Sequence, residues 1–584
     1  MKKRGYASSL RWLVFAFGLA TGTAWAAWGQ VQPGAADVAA TPAGAPVTVT
    51  GVVLNAATGE PLRRALVKVF GGPERGALTD GEGRFEIHGV PPGVRNFQVL
   101  KPGFREEMES ETAGVSEHSV SVESGMPSLS FSITPENAIS GHVTLSTGAP
   151  ALGIELRLVR QIIVDGRPAW EMGEQRMTTP DGYFRFAGLA DGTYLLWTKP
   201  EFDSSHATEP RCNADSPAEI TGYASEFYGG APELSGAARI VIAGGQTAEV
   251  NLALNQTSFH MVQVSLPRAP DGASWEFTQT LVDHSGQELD YPIHREKDHS
   301  LCVYLPDGSY TLLARASIEG DEESPAPGKQ KGPKDLLGLI EFSVDGRPTQ
   351  VLKVALTQAP SSTVHLHYEP APPAAIKASN QTDEREEERG DAEPLQISLV
   401  RADVIAQRGT TQVQGTQTGE STYELAAAPP GPYWIQASAD RTGVCAGAVT
   451  AGGQNLARTP WVAGPSGEGM PIEVVLRTDC GKLTVQMPGT LSASDAGEGS
   501  NLHVYVVPEF DSIEGVYQNE VRQFGEHTAT FEDMVPGAYR VFAFRTARSI
   551  EFRNPAALSR LGPGQRVAIE PGGSANLVLE GVSR

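Results

Sequence analysis

The sequence predicts an all-β protein: five β-sandwich modules in a string. Three observations carry the prediction. A Gly-containing turn recurs as Pro92-Gly93, Asp191-Gly192-Thr193-Tyr194, Asp307-Gly308-Ser309-Tyr310, Pro430-Gly431-Pro432-Tyr433 and Pro536-Gly537-Ala538-Tyr539. Its glycines stand 99, 116, 123 and 106 residues apart, so one domain-sized unit repeats. The 64 Gly and 42 Pro fall mostly between short apolar runs, as they do where turns join short strands. Helical patterning is nearly absent; the best candidate is Asn554 to Gly562, with an Asn cap, Pro at the first position and Gly at the stop. At 584 residues the chain exceeds one core, since a domain takes about 100–200 residues.

Taken in order, residues 1–26 read as a secretion signal. Met1-Lys2-Lys3-Arg4 is basic, Trp12 to Ala20 is apolar, and Ala24-Trp25-Ala26 sets the expected cleavage after Ala26. That apolar run is shorter than the ~20 residues of a membrane span, and none later is long enough. Residues 27–46 are a flexible Ala/Pro/Gly linker. The first module is 47–135, with alternating strands at Val47–Leu54, Ala65–Phe70, Arg84–His88, Phe97–Lys101 and Leu129–Ile133; Phe85 and Ile87 share the inward face. The second, 136–255, carries an insertion at 201–236 that is rich in Pro, Gly, Tyr and Phe. The third is 256–359, the fourth 360–479 with an acidic loop at 370–394, and the fifth 480–584.

The recurrent turn reads as a hairpin, type II where it is Pro-Gly and type I′ where it is Asp-Gly. At Gly537 this calls for a positive φ. The tyrosine two residues on is expected in the core, its hydroxyl tied to nearby backbone in the manner of a tyrosine corner. The first copy has Arg95 at that place, so Phe97, two further along the same face, is expected to fill the role.

The first module resembles the carboxypeptidase regulatory-like domain. The resemblance rests on Gly51-Val52-Val53, Thr58-Gly59-Glu60-Pro61-Leu62, Ala65-Leu66-Val67-Lys68-Val69, Thr79-Asp80-Gly81-Glu82-Gly83-Arg84-Phe85, Val90-Pro91-Pro92-Gly93 and Lys101-Pro102-Gly103-Phe104. It implies a transthyretin-like or immunoglobulin-like sandwich, an accessory domain that holds no zinc in the peptidases. The second module is similar through Ile139-Ser140-Gly141-His142-Val143 and Pro180-Asp181-Gly182-Tyr183-Phe184. The later three keep mainly the repeated turn.

Motifs for chemistry are thin. His206-Ala207-Thr208-Glu209 has the H-x-x-E spacing of a zinc site, but such a pair arises by chance in a chain of this length and sits in a Pro-rich insertion that cannot hold ligands rigidly. Asp80-Gly81-Glu82-Gly83 lacks the later carboxylate of a calcium loop and reads as a turn; His365 and His367 read as outward strand residues. No metal or cofactor is expected. Four cysteines in an exported chain allow three pairings. Cys445, in the β-rich stretch Gly443–Thr450 of the fourth module, and Cys480, directly after its last strand, are the expected bridge, while a Cys212–Cys302 bridge would need contact between modules.

The formal charge of −23, or −27 once Lys2, Lys3, Arg4 and Arg11 are removed, argues against nucleic acid and anionic lipid as partners. Seven acids between Asp383 and Glu393 read as a solvated loop. The expected function is a secreted, non-enzymatic scaffold or adhesive protein, periplasmic or at the cell surface, whose partner is a protein or glycan surface. The alternatives are a carbohydrate-binding protein that stacks sugars on Tyr223, Phe227 and Tyr228, and, further off, a hydrolase.

Overall fold

In the first range Val47–Asn55 pairs antiparallel with Arg84–Val90 and parallel with Leu129–Pro135. Leu66–Phe70, paired with Arg75–Leu78 and Gly93–Leu100, centres a second sheet. Alternation is the local cause: Val49, Val53, Phe85, Ile87, Val67 and Phe97 face one buried cluster between the sheets, while Arg84, Glu86 and His88 face water. This is a computed structural model. It describes residues 45–581 except 72, 74, 107–117, 204–208, 214, 269–274, 298–299, 319–334, 348–350, 359, 371–394, 403, 407–411, 420, 440–441, 465, 488–501, 522–527 and 545–546. The signal, most of the linker, His206 and the Asp383–Glu393 run therefore lie outside the described residues.

The same wiring recurs. Asn137–Leu145, Gln256–Ser265, Ser361–Tyr368 and Gly481–Gln486 each pair antiparallel with the strand that enters the repeated turn. Each also pairs parallel with a late strand: Leu252–Leu254, Leu352–Lys353, Ile472–Arg477 and Ser574–Val578. The strand that leaves the turn pairs elsewhere, with Glu155–Val164, Trp275–Asp283, Leu395–Arg401 or Leu502–Pro508. Five large apolar clusters follow this order along the chain.

The repeated turn is thus not a hairpin. Among the described residues its two flanking strands never pair with each other, because the chain passes there to a different set of partner strands, which in four of the copies form a separate sheet. The tyrosine ties this corner. Tyr194, Tyr310, Tyr433 and Tyr539 are buried and donate their hydroxyls to the carbonyls of Ala190, Pro306, Pro429 and Val535, each four residues back, at 2.9, 2.8, 2.8 and 2.5 Å. In the first copy Arg95 Nε donates to Pro91 O, again four back, at 3.0 Å, and Phe97 supplies the buried ring. Gly537 stays outside the left-handed region, contrary to the expectation. It is required for space, since a Cβ there would strike the Phe510 ring.

The ranges are not separate beads. The 201–236 insertion sends Glu201–Phe202 and Glu219–Tyr223 into the sheet of the third range. Ile405, from the fourth range, sits in an apolar cluster with Val159, Leu195, Trp197 and Phe227 of the second. Ile513 of the fifth enters the core of the fourth, and Leu313 and Leu337 of the third pack with Ala427 of the fourth. The helix Pro555–Arg560 is capped as expected, with the Asn554 side chain accepting from Ala556 N and Ala557 N.

Candidate functional site

The strands Glu155–Val164 and Arg167–Met177 form the longest continuous hairpin arm of the second range. Asp165-Gly166 turns it, with φ of 47° and 70°, the type I′ geometry for which Asp-Gly is suited. The tip carries the arm to residues of the fourth and fifth ranges. Arg553 donates from Nη2 to both carboxylate oxygens of Asp165, at 3.0 and 2.9 Å, and from Nε to its backbone carbonyl at 2.9 Å. Arg167 Nη1 donates to the same carboxylate at 2.6 Å, its guanidinium lies 3.8 Å over the Trp434 ring, and both arginines donate to Ala457 O. These side chains are 11 to 16% exposed. Burial and then the Arg553 charge bring Arg167 down to about 10, against the pull of Asp165.

Beside the tip opens a cleft of about 900 Å³. Pro508, Phe510, Phe552, Pro555 and Leu558 supply apolar surface. Five guanidinium groups line it: Arg167, Arg458, Arg540, Arg553 and Arg566. Glu509 receives both Arg540 and Arg566 at 2.5 Å, and Arg458 meets Asp511 at 2.6 Å. The bond from Arg566, against burial and with help from Arg540, holds Glu509 below the usual carboxylate range.

A second hollow, of about 380 Å³, lies near Asp165, against a face of amides and hydroxyls that includes Gln396, Ser398, Gln414, Gln436 and Ser438. Glu514 also lines it, and burial raises its pKa although Ala446 N and Tyr517 OH donate to it.

The proposed sugar-stacking rings are corrected. Tyr223 and Phe227 are buried, the first in the second core and the second stacked on Trp197 at 5.6 Å and 11°, while Tyr228 is half-buried against the same core. Desolvating those rings holds the insertion to its neighbours, so they present no platform to a sugar. Glu209 pairs with Arg211 at 3.7 Å, and His367 meets Glu473 at 2.6 Å. Among the described residues no group of three or more His, Cys, Asp or Glu could hold a metal ion. Asp80 Oδ1 is occupied by Glu82 N and Arg84 N, as a turn requires. Cys445 and Cys480 are bridged with Cα atoms 6.1 Å apart, and Cys212 and Cys302 with Cα atoms 5.6 Å apart. The second bridge exists because the insertion crosses to the third range.

Sequence reasoning passed over the junction. One signal for it was present, Asp165-Gly166 between Ile162-Ile163-Val164 and Arg167, the strongest short-range mark of a hairpin. Nothing in the sequence told where its tip would land.

Residues 48–124 match the family model of the carboxypeptidase regulatory-like domain. The Bacillus anthracis TIE protein is similar in structure at 13% identity and a TM-score of 0.16, over 53% of this chain and 50% of that one, so the chain spans half that relative's length. A streptococcal ancillary pilin is similar at 12% identity and a TM-score of 0.17, over 54% of this chain and all of the pilin. Two B repeat units of the Staphylococcus aureus collagen binding protein are similar at 8% identity and a TM-score of 0.13, over 71% of this chain and 94% of theirs. At such identities and TM-scores nothing about function passes from them to this chain. No curated protein matches the sequence.

Proposed function

We propose that the protein is a secreted, non-enzymatic scaffold of five β-sandwich modules that adheres to a partner surface of the cell envelope or extracellular space. One observation carries the reading: the Asp165-Gly166 tip is held by Arg553 and Arg167 between parts of three modules, a buried bond network that fixes their faces and clefts relative to one another. Rigid sandwiches that present clefts and rim loops bind without needing a reactive centre. The leader ending at Ala26 supports export. Among the described residues no helix is long and apolar enough to cross a membrane.

The test is saturable binding of the purified exported chain to intact cells and isolated envelope, with parallel screens for peptidase and glycosidase turnover. Saturable binding without turnover is the expected result. Turnover abolished by a single carboxylate substitution would replace the scaffold with a hydrolase.

A further inference from the structure

The arginine cleft contrasts with the chain around it. The protein carries a formal charge of −23, yet five guanidinium groups converge on one cleft. Their pairing leaves positive charge over. Arg167 and Arg553 share the single carboxylate of Asp165, and Arg540 and Arg566 share that of Glu509. Only Arg458 has an acid to itself, Asp511. Glu509 is 13% exposed and takes two charge-assisted bonds, so it holds Arg540 and Arg566 in place before any ligand arrives. Arg458 and Arg566 are 73% and 72% exposed, so solvent-side N–H groups of both can meet an incoming anion without leaving their acids.

We infer that this cleft binds an acidic polysaccharide whose sugar units carry carboxylates, a deepening that rests on the adhesive reading above. The lining decides between anions. Glu551 and Asp511 also face the cleft, and they disfavour a ligand whose side chains are carboxylates with no hydroxyls beside them, such as polyglutamate. A uronate chain offers carboxylates to the arginines and hydroxyls to those acids and to Asn554, so both kinds of lining group find partners. The Phe510 and Phe552 rings and Pro508 and Pro555 supply apolar surface for the faces of the sugar rings. The size also fits, since small-ligand clefts run to about 300–1,000 Å³.

The experiment is calorimetric titration of the full exported chain with oligogalacturonate, its methyl ester and polyglutamate, at low and high salt. The wild type should bind oligogalacturonate, with affinity falling as salt rises, and should bind the ester and polyglutamate about tenfold more weakly or worse. Arg458→Gln combined with Arg566→Gln should cost about tenfold or more toward oligogalacturonate. Both side chains are largely exposed, so the variant should keep its fold, which circular dichroism checks. Absence of oligogalacturonate binding, binding that the double variant retains, or equal binding of polyglutamate would each overturn the inference. Envelope binding by the wild type separates the two readings. If the wild type binds envelope but not oligogalacturonate, the adhesive scaffold stands and the cleft assignment falls.

Discussion

Tyr539 shows what one residue does for a corner. Its ring is buried edge-on against Phe510, with centroids 5.3 Å apart, and its hydroxyl closes the turn onto Val535. Tyr539→Phe keeps the ring and strands the Val535 carbonyl, at a cost of about 1–3 kcal/mol; Tyr539→Ala also empties the site, for about 3–5 kcal/mol. Urea unfolding followed by hydrogen exchange in residues 480–581 reads both, and an unchanged midpoint for the phenylalanine variant would mean the hydrogen bond is idle. Gly537→Val should cost about 1–3 kcal/mol through collision with Phe510, a packing penalty and not one of backbone φ. Arg95 makes the same reach by different chemistry, so Arg95→Tyr should stay near wild-type stability while Arg95→Leu loses about 1 kcal/mol or more, read by the same unfolding. The residue-scale pattern was legible because Gly-x-Tyr and its carbonyl lie within six residues of sequence. That the turn crosses between sheets was not, since strand pairing is set by partners tens of residues away.

At the scale of elements, one buried ion-pair junction and two disulfides tie distant stretches of the chain together. The arm that ends in Asp165-Gly166 depends on one carboxylate serving two guanidinium groups in a site 11 to 16% exposed. Asp165→Asn removes the charge and keeps the shape. Leaving two buried cations to face each other should cost about 3–5 kcal/mol and raise exchange at residues 164–167 and 552–554, while residues 47–135 remain as protected as before. Equal protection at the tip would show that Gly166 packing on Phe552, and not the ion pairs, holds the arm. The bridges act through the unfolded chain. Cys445–Cys480 spans 35 residues and Cys212–Cys302 spans 90, which in the loop-entropy account correspond to about 3.8 and about 4.6 kcal/mol. Paired Ser substitutions should therefore lower the unfolding midpoint in both cases and more for Cys212–Cys302. The sequence marked the first bridge because Cys445 lies in a β-rich stretch of the same range whose last strand Cys480 follows; the second needed the insertion's crossing, which no local pattern announces.

For the whole molecule, the seams between sandwiches answer to pH in opposite directions. Between the ranges 136–255 and 256–359, Asp290 is pushed up by burial, but Arg157, at 2.7 Å, and Lys199, at 3.3 Å, outweigh that and hold its pKa below the ordinary value. A depressed carboxylate stabilises above its unfolded pKa, about 4, and loses that contribution as pH falls through the folded one. Between the ranges 360–479 and 480–584, burial raises Glu514 despite the bonds from Ala446 N and Tyr517 OH, and Asp533 nearby pushes it the same way. The folded chain then binds that proton more readily than the unfolded one. Its contribution is present in full at acid pH and fades as pH rises through the folded pKa. Acidification from neutral to below about 4 should therefore loosen the first seam and tighten the second. Protection factors, corrected for intrinsic exchange, should fall at residues 155–157 and 287–291 and hold or rise at 443–446 and 513–517. Asp290→Asn should make the first seam weak at neutral pH and indifferent to acid, and Glu514→Gln should make the second indifferent as well. If both seams open together in the wild type, the acid response belongs to the net charge of the chain and not to these two carboxylates.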